Sequence, residues 1–556
     1  MRITAIPQLY RNLNRWREIL GVLGRYELAT WLSRVGPEFA KDLLKSSGGE
    51  AIARLSWETR VRMALAELGP TFIKLGQVLS TRPDLVGVAL ATELQNLQEN
   101  VPADPPEVVR KTIEDELGRP VEAVFAELDE RPMASASIGQ VHQARLFSGQ
   151  RVVVKVQHAD IERRVAVDLE ILAGLAELAE RIPEFRNYRP RAVAAEFRRT
   201  MLRELDFSRE LRHLQQFGAN FSGNPFVVIP TPYPEHSSSR VLTMQLLEGI
   251  KLTETERLLA AGIDLDEVAR RGAQVCLEMI FEHGLYHCDP HPGNILVMPG
   301  NVIGLLDFGM VGRIDERLHE YMGEALLAVA NQDAEQLTSI IVRVGAPPAN
   351  LDRAGLALDI SDFIAHYGTQ SLERFDLSGA LTEITEIIRR YHILLPARIA
   401  MLLKTLITLE GTARSLAPKF NLLEVMQPYR KRLLMRRLSP GRQWRKFRRL
   451  YSDLEYLAEL LPRGIVEILQ QVQAGRFDIH LDHRGLEPSV NRLVLGMLAS
   501  ALFLGSALML SRNVPPLLLE HISAPGALGC VAAIALGLRL WRAISKSGKL
   551  DRPPQQ

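Results

Sequence analysis

Near the middle of the chain, Tyr286-His287-Cys288-Asp289-Pro290-His291-Pro292-Gly293-Asn294 is followed by a short apolar hairpin and then by Leu305-Leu306-Asp307-Phe308-Gly309. No other feature restricts the fold as much. Phosphoryl transfer requires a protein to hold Mg²⁺ against a triphosphate and to orient the nucleophile. A loop Asp, an Asn five residues on and a second Asp after a hairpin supply those parts. Asp289 would orient the acceptor, and Asn294 and Asp307 would hold the metal. His-x-Asp-x4-Asn alone fixes only three positions, and its bland reading is a turn in which Asp and Asn cap a hairpin. The Asp-Phe-Gly close behind it weighs against that reading.

Such a site also needs a cation for the α- and β-phosphates, and Val152-Val153-Val154-Lys155 after the Ser148-Gly149 turn offers one on a strand. A strand lysine is ordinarily a solvated side chain; its place upstream of the Asp289 loop makes it a phosphate ligand here. Its partner is expected among the carboxylates of Arg203-Glu204-Leu205-Asp206-Phe207-Ser208-Arg209-Glu210. Where a glycine-rich phosphate loop would stand, the chain has Met133-Ala134-Ser135-Ala136-Ser137-Ile138-Gly139-Gln140-Val141. With one glycine, its backbone approaches a phosphate under the restriction of Cβ atoms, so nucleotide handling should differ from that of an ordinary kinase.

The 556 residues carry 67 basic and 65 acidic side chains and are 47% hydrophobic, which excludes both a single small domain and disorder over the whole chain. Cys276, Cys288 and Cys530 cannot form a disulfide framework and have no metal spacing, so a reducing compartment is expected. Met1 to Tyr10 lacks the apolar run of a signal peptide. Charge is unevenly spread: Arg430 to Arg449 holds ten Lys/Arg in twenty residues and no acid. Downstream, Leu493 to Leu510 and Ile522 to Leu538 are uncharged over 18 and 17 residues, lengths at the lower edge of a bilayer span. Pro515-Pro516 separates them, and Arg539, Arg542, Lys546 and Lys549 follow, which reads as a hairpin with both ends in the cytoplasm. Two buried core helices are the alternative. Gly529, Ala533 and Gly537, with Ala501 and Gly505, are small residues that could let spans pair in a homodimer. The basic segment has only Trp444 and Phe447 as aromatics and no accompanying nucleic-acid signature, so no nucleic-acid partner is expected.

Helical patterning runs from the start to about Pro105; short β-type runs follow at Val152 to Val156, Phe226 to Ile229 and Val241 to Leu246, with a long helical stretch from Ile161 to Phe217 between them. The resulting division is a helical extension over 1–105, an N-lobe with inserted helices over 106–249 and a helical C-lobe over 250–429. A basic, amphipathic juxtamembrane region over 430–492, a transmembrane hairpin over 493–538 and a cytoplasmic tail over 539–556 complete it.

These motifs together resemble the UbiB family, also called AarF or ADCK-like, of atypical protein-kinase-like proteins, over nearly the whole chain. The family's alanine-rich loop matches Ala134 to Val141, and its Lys-x-Gly-Gln signature matches Lys74-Leu75-Gly76-Gln77. Its Glu-x-Asp signature matches Glu204 and Asp206, and His-x-Asp-Pro-His-Pro-Gly-Asn matches His287 to Asn294. The resemblance implies an α+β, bilobal kinase-like fold with the helical extension and a C-terminal two-helix transmembrane hairpin. It implies that Glu210 pairs with Lys155, that Met133 to Val141 cover ATP or ADP, and that Lys74 binds the Glu204 and Asp206 carboxylates, with Gln77 beside it. The extension would then lie across the groove in which a kinase lays a peptide. Ala-Pro-Glu is absent after Gly309, and His291 stands where many kinases have Lys. At the adenine hinge, Gln245 follows Met244 where an acidic residue is expected.

By the same resemblance the chain is expected at the inner, cytoplasmic membrane with its soluble part facing the cytoplasm, using ATP and Mg²⁺ in support of ubiquinone or related isoprenoid-quinone biosynthesis. Its partners would be nucleotide, anionic lipid and a quinone precursor or the enzymes that process it. An ATPase is the leading reading; a true phosphotransferase on protein or small molecule and a nucleotide-bound lipid scaffold are the others.

Overall fold

The computed structural model describes residues 12–28, 55–97, 101–368, 370, 375–429, 486–512, 514–518 and 522–546. The basic segment from Arg430 to Arg449, most of region 430–492 and the last residues of the tail lie outside the described residues. Contacts divide the chain into two units, Met1–Arg442 and Gln443–Gln556.

The first unit begins with helices α1 (Leu13–Arg25), α2 (Trp57–Leu68), α3 (Pro70–Ser80) and α4 (Val88–Leu94). Trp16, Ile19 and Leu20 recur at helical spacing on α1 and pack with Leu65, Leu68, Phe72, Leu90 and Leu94. Gly76 on α3 sits under Leu97, and a Cβ there would overlap that side chain and meet Leu65 Cδ1 at 3.1 Å. The glycine of Lys-x-Gly-Gln is thus a packing requirement of the extension.

After α5 (Pro106–Leu117) come β1 (Glu127–Leu128), β2 (Ala134–Ser135), β3 (Gly139–Arg145) and β4 (Arg151–Gln157). β3 and β4 form an antiparallel pair, Gly139 opposite Gln157 and Arg145 opposite Arg151. Alternation along β4 sends Val152, Val154 and Val156 toward Val109 and Ile113 of α5, and turns Val153 and Lys155 to the other face. The helical stretch expected from Ile161 to Phe217 is three long helices, α6 (Ile161–Glu180), α7 (Pro190–Glu204) and α8 (Phe207–Asn220), with the single turn Pro183–Arg186 between the first two. Pro190 opens α7 at its first turn, and the Asp206 carboxylate caps α8 by accepting from Ser208 N. Strand β5 (Val227–Val228) leaves this lobe, whereas β6 (Val241–Gln245) returns to pair with β4.

Strand β7 (Ile250–Lys251), helix α9 (Leu265–Glu278) and β8 (Leu285–His287) lead into the hairpin of β9 (Ile295–Met298) and β10 (Val302–Leu305), followed by β11 (Val311–Arg313). β5 runs parallel to β10, giving a sheet of order β5-β10-β9-β7, so Val227 and Val228 belong with the lower lobe. β8 pairs with β11, His287 opposite Val311, which brings the Asp289 loop beside the Asp307 segment. Helices α10 (Glu316–Ala330), α11 (Ala334–Val344), α12 (Arg353–Tyr367), α13 (Leu377–Arg390) and α14 (Ala397–Leu416) follow.

The extension touches both lobes. Arg82 lies in a buried bidentate pair with Asp84, at 2.8 and 2.9 Å, and donates to Leu395 O ahead of α14 at 3.0 Å, while Glu386 of α13 accepts from Val88 N at 3.2 Å. On the other side Arg15 donates to both carboxylate oxygens of Asp168 on α6, at 2.7 and 3.1 Å, and to Leu68 O at 2.7 Å.

In the second unit, α15 (Leu486–Ser511) and α16 (Ala524–Lys546) form an antiparallel hairpin. Val494–Ser511 and Ala524–Arg542 have mean hydropathies of 2.0 and 1.5, and only 6% and 11% of these stretches is buried, unlike core helices. Both could cross a membrane by length and composition. Small residues close the hairpin on itself: a Cβ at Gly526 would meet Ser506 O at 2.9 Å, and one at Gly529 would overlap Ser506 Oγ. Gly529, read from sequence as a contact between copies, is committed within the hairpin; Gly505 and Gly537 have open space around them.

Asp168 is fully buried and Arg15 12% exposed, so removing the cation strands a charge. Arg15→Met is expected to cost about 3–5 kcal/mol and Arg15→Met with Asp168→Leu much less, by thermal unfolding of the purified protein.

Candidate active site

The alternation that turns Lys155 off the valine face of β4 points it at α8, where Nζ lies 2.8 Å from Glu210 Oε2. Glu210 is one turn past the Asp206 cap and is itself buried. Its other oxygen, Oε1, accepts from Phe308 N at 3.2 Å. Asp307 Oδ1 is 3.8 Å from the same ammonium. Burial opposes the Lys155 charge, but Glu210 and Asp307 outweigh it and raise the lysine above its ordinary pKa. For Asp307 burial acts to raise the pKa and is outweighed by Lys155, then Lys74, the Gly309 amide and His287, so its carboxyl is held well below the usual carboxylate range. Both groups are charged at neutral pH.

The Asp307 backbone sits in the left-handed region, φ +53°, which Asp tolerates better than most residues, and its Oδ1 accepts from Gly309 N at 3.1 Å. Phe308 is fully buried, 4.9 Å from the Phe217 ring of α8 and edge-on to His287 at 5.6 Å. His287 holds the two loops together. Its Nε2 donates to Leu306 O at 3.1 Å and its Nδ1 accepts from Asp289 N at 3.1 Å, which fixes the ring's tautomer. Asn294 Nδ2 reaches back to Asp289 O at 3.4 Å, so Asp289, Asn294 and Asp307 come from one pair of adjoining loops.

The alanine-rich loop is partly turned inward. β2 and β3 bring Ser135 opposite Gln140 and Ala134 opposite Val141, leaving Ala136, Ser137 and Ile138 at the tip. Three residues read as nucleotide contacts are used elsewhere. Gln140 is buried, accepts from Asp104 N through Oε1 at 2.7 Å and donates to His142 Nε2 at 2.9 Å. The Ile138 side chain enters the core, and Gly139 is glycine because a Cβ there would lie 2.6 Å from Val156 O. Val141 is partly buried and Met133 half-exposed. The loop backbone and the Ser135 and Ser137 hydroxyls are what remain for a ligand; Ser137 Oγ is buried with no partner. The loop is tied down from below by His158, whose Nε2 donates to Ala136 O at 3.0 Å and whose Nδ1 meets Asp104 Oδ2 at 3.1 Å.

Lys74 on α3 pairs with Glu204 at the end of α7, 3.0 Å apart and both largely buried, and its charge bears on Lys155 and Asp307. Gln77 follows one turn of helix later, its carbonyl accepting from Ser80 Oγ at 2.7 Å. Asp206, expected with Glu204 as a Lys74 ligand, caps α8 and faces Arg212 at 3.8 Å. Gln245 likewise turns to its own strand edge, receiving Thr231 N at 3.4 Å.

Sequence reasoning missed Lys404. From α14 its Nζ reaches Asp289 Oδ1 at 3.4 Å, and the neighbouring Thr405 Oγ1 donates to Cys288 O at 3.1 Å. The available signal was a single lysine in the apolar run Ile399 to Leu409. Lys155→Met, leaving Glu210 buried without its cation, is expected to cost about 3–5 kcal/mol of stability. Asp206→Ala should cost about 1 kcal/mol as a lost cap; thermal unfolding of both variants checks the contrast.

Residues 96–341 match the ABC1 atypical kinase-like domain, residues 360–421 the UbiB helical domain and residues 479–546 the ABC1/UbiB kinase-like C-terminal domain. A protein of Clostridium pasteurianum, described only as uncharacterized in the hydrogenase 1 5′ region, is 32% identical over 502 residues, 88% of this chain and 93% of that one. Proteins described as probable protein kinase UbiB are 34% identical: that of Xanthomonas campestris pv. campestris over 85% of this chain and 88% of its own, and that of Pseudomonas aeruginosa over 75% and 79%. With the kinase-like domain, the helical domain and the C-terminal domain matched in order, the chain belongs to the UbiB family of atypical kinase-like proteins.

Proposed function

We propose that this protein is an ATPase of atypical kinase fold, anchored by its C-terminal hairpin in the cytoplasmic membrane, that supports biosynthesis of ubiquinone or a related isoprenoid quinone. The observation that carries the ATP reading is the Lys155–Glu210–Asp307 cluster, with contacts of 2.8 and 3.8 Å. Lys155 would donate to the α- and β-phosphates while Glu210 fixes its position, and Asp289 would orient the attacking oxygen.

The donor set suits Mg²⁺. Asp307 is ionised and its side chain is 53% exposed, and Asn294 adds a neutral oxygen from the adjoining loop. Among the described residues no cluster of three or more His, Cys, Asp or Glu could cage a metal by itself. That pattern fits an ion bound through one carboxylate and the substrate's phosphates. When bound, Mg²⁺ would neutralise charge on the β- and γ-phosphoryl groups. The inward-turned alanine-rich loop, tethered by His158, gives the nucleotide a stiffer cover than a glycine-rich loop.

Lys74, paired to Glu204 and within electrostatic reach of Lys155 and Asp307, brings a helix of the extension to the cleft, which favours hydrolysis over transfer to a peptide. For the membrane, Arg539 and Arg542 at the C-terminal end of the second apolar stretch support cytoplasmic ends. Arg430 to Arg449 would add about 1 kcal/mol of attraction per Lys or Arg at an anionic surface. The quinone assignment rests on the family alone. A phosphotransferase is the second reading, because Lys155, Asp289, Asn294 and Asp307 are all in place.

Full-length protein on anionic liposomes is expected to release labelled phosphate from γ-labelled ATP, and Asp307→Asn to abolish release. Label appearing instead on a protein or small molecule, dependent on Asp289, would establish transfer in place of hydrolysis.

A further inference from the structure

The acceptor side of the cleft lacks the lysine that many protein kinases carry two residues after the loop Asp. His291 stands there, exposed, with its Nδ1 taken by Gly293 N at 3.1 Å. A cation is present all the same. Lys404, separated from Asp289 by 115 positions of sequence, places Nζ 3.4 Å from Asp289 Oδ1 with only 12% of its side chain exposed. We propose that Lys404 is the acceptor-side cation of this enzyme, a positioning residue that acts through Asp289; the proposal rests on the ATP reading above.

Three observations carry it. The contact falls on Oδ1, so Oδ2 is the oxygen left to receive the nucleophile. Consecutive residues of α14 grip consecutive residues of the loop, Lys404 on Asp289 and Thr405 on Cys288 O at 3.1 Å, the single Thr405 hydroxyl proton being shared with Met401 O at 2.8 Å within its own helix. The loop is therefore registered against a 20-residue helix in addition to its own His287 and Asn294 contacts. Finally, the other two lysines of the cleft are already paired, Lys155 with Glu210 at 2.8 Å and Lys74 with Glu204 at 3.0 Å. Because Leu402 and Leu406 beside it are buried, the Lys404 ammonium acts in partly desolvated surroundings, where a charge pair is stronger than in water.

In the reaction, the oxygen of water forms a bond to the γ-phosphorus as the bond to the β,γ-bridging oxygen breaks, and that electron pair leaves with ADP. The water proton passes to Oδ2 of Asp289 and from there to solvent. Lys404 keeps its own protons throughout; it holds Oδ1 and sets the direction of Oδ2.

The test measures phosphate release from γ-labelled ATP, binding of a fluorescent ADP analogue and thermal unfolding for full-length wild type, Lys404→Ala, Lys404→Arg and Asp307→Asn. Lys404→Ala is expected to lower kcat about 100-fold while KM for ATP and the analogue's Kd stay within about threefold. Lys404→Arg, which keeps the charge, should recover at least about a tenth of wild-type turnover. Lys404→Ala turning over within about threefold of an active wild type would overturn the proposal. So would a loss of kcat matched by weaker nucleotide binding and a lower melting temperature that Arg does not recover, the pattern of a purely structural lysine. Wild type that neither releases phosphate nor labels an acceptor would overturn the ATP reading itself, a result distinct from failure of Lys404 alone.

Discussion

Glu210 is bound at both carboxylate oxygens, Oε2 by the Lys155 ammonium and Oε1 by the Phe308 amide, and each bond comes from a different part of the fold. Lys155 belongs to the upper sheet, Glu210 to α8, and Phe308 to the segment that follows the lower hairpin. Desolvating two charges is costly, and the pair is stable only where further hydrogen bonds complete it. The Phe308 amide provides one, and Phe308 can present it because its ring is seated against Phe217 on α8 and His287 in the loop. Packing of one aromatic side chain, completion of one carboxylate and placement of Asp307 next to Lys155 are therefore a single event. Loss of any of the three loosens the other two.

Much of this could be read from the chain before any coordinates. The valine run at 152 to 156 already contains the alternation that puts Lys155 on the face opposite α5, and the spacing of Asp289, Asn294 and Asp307 already implies two adjoining loops. What could not be read was the direction of side chains whose partners are remote. Gln140 lies in the loop assigned to nucleotide, yet its amide turns to Asp104 and His142 because its strand position faces inward. Asp206 has the composition of a lysine ligand and the position of an N-cap, and the free amides of α8 take it. The helical stretch from Ile161 looked continuous because Pro190 is as compatible with a first turn as with a break. Lys404 depends on the rotation of α14 about its axis, which a helix whose polar residues are scattered around it, with no clear apolar stripe, does not encode in its sequence.

The Lys-x-Gly-Gln element illustrates how one short signature combines two physical demands. Gly76 is needed so that α3 can approach Leu97 and Leu65, and the close approach fixes the height of α3 in the extension. Lys74, one half-turn before it on the same helix, is thereby carried to Glu204 and into range of Asp307. A side chain at position 76 would have to push the Leu97 and Leu65 side chains aside for α3 to keep its place. The anchor points of the extension, Arg15 on Asp168 and Arg82 beneath Leu395, lie on either side of this contact, so α3 is braced from both ends.

The charges of the cleft then decide what it can accept. Lys74 and Lys155 are each paired with a carboxyl group, Glu204 and Glu210, with Asp307 close by, and Lys404 is paired with Asp289. A bare triphosphate would meet a site in which both inner lysines are already held by carboxyl groups. A divalent ion entering with the nucleotide would supply the positive charge that the paired lysines do not, and Asp307, kept ionised by its lysine neighbours and half open to solvent, is the carboxylate that would receive it. Affinity for nucleotide should therefore rest on the metal more heavily than in a site whose lysine is unopposed. The pairing of Lys74 with Glu204 deepens this dependence, because the extension brings its positive charge into the cleft already neutralised.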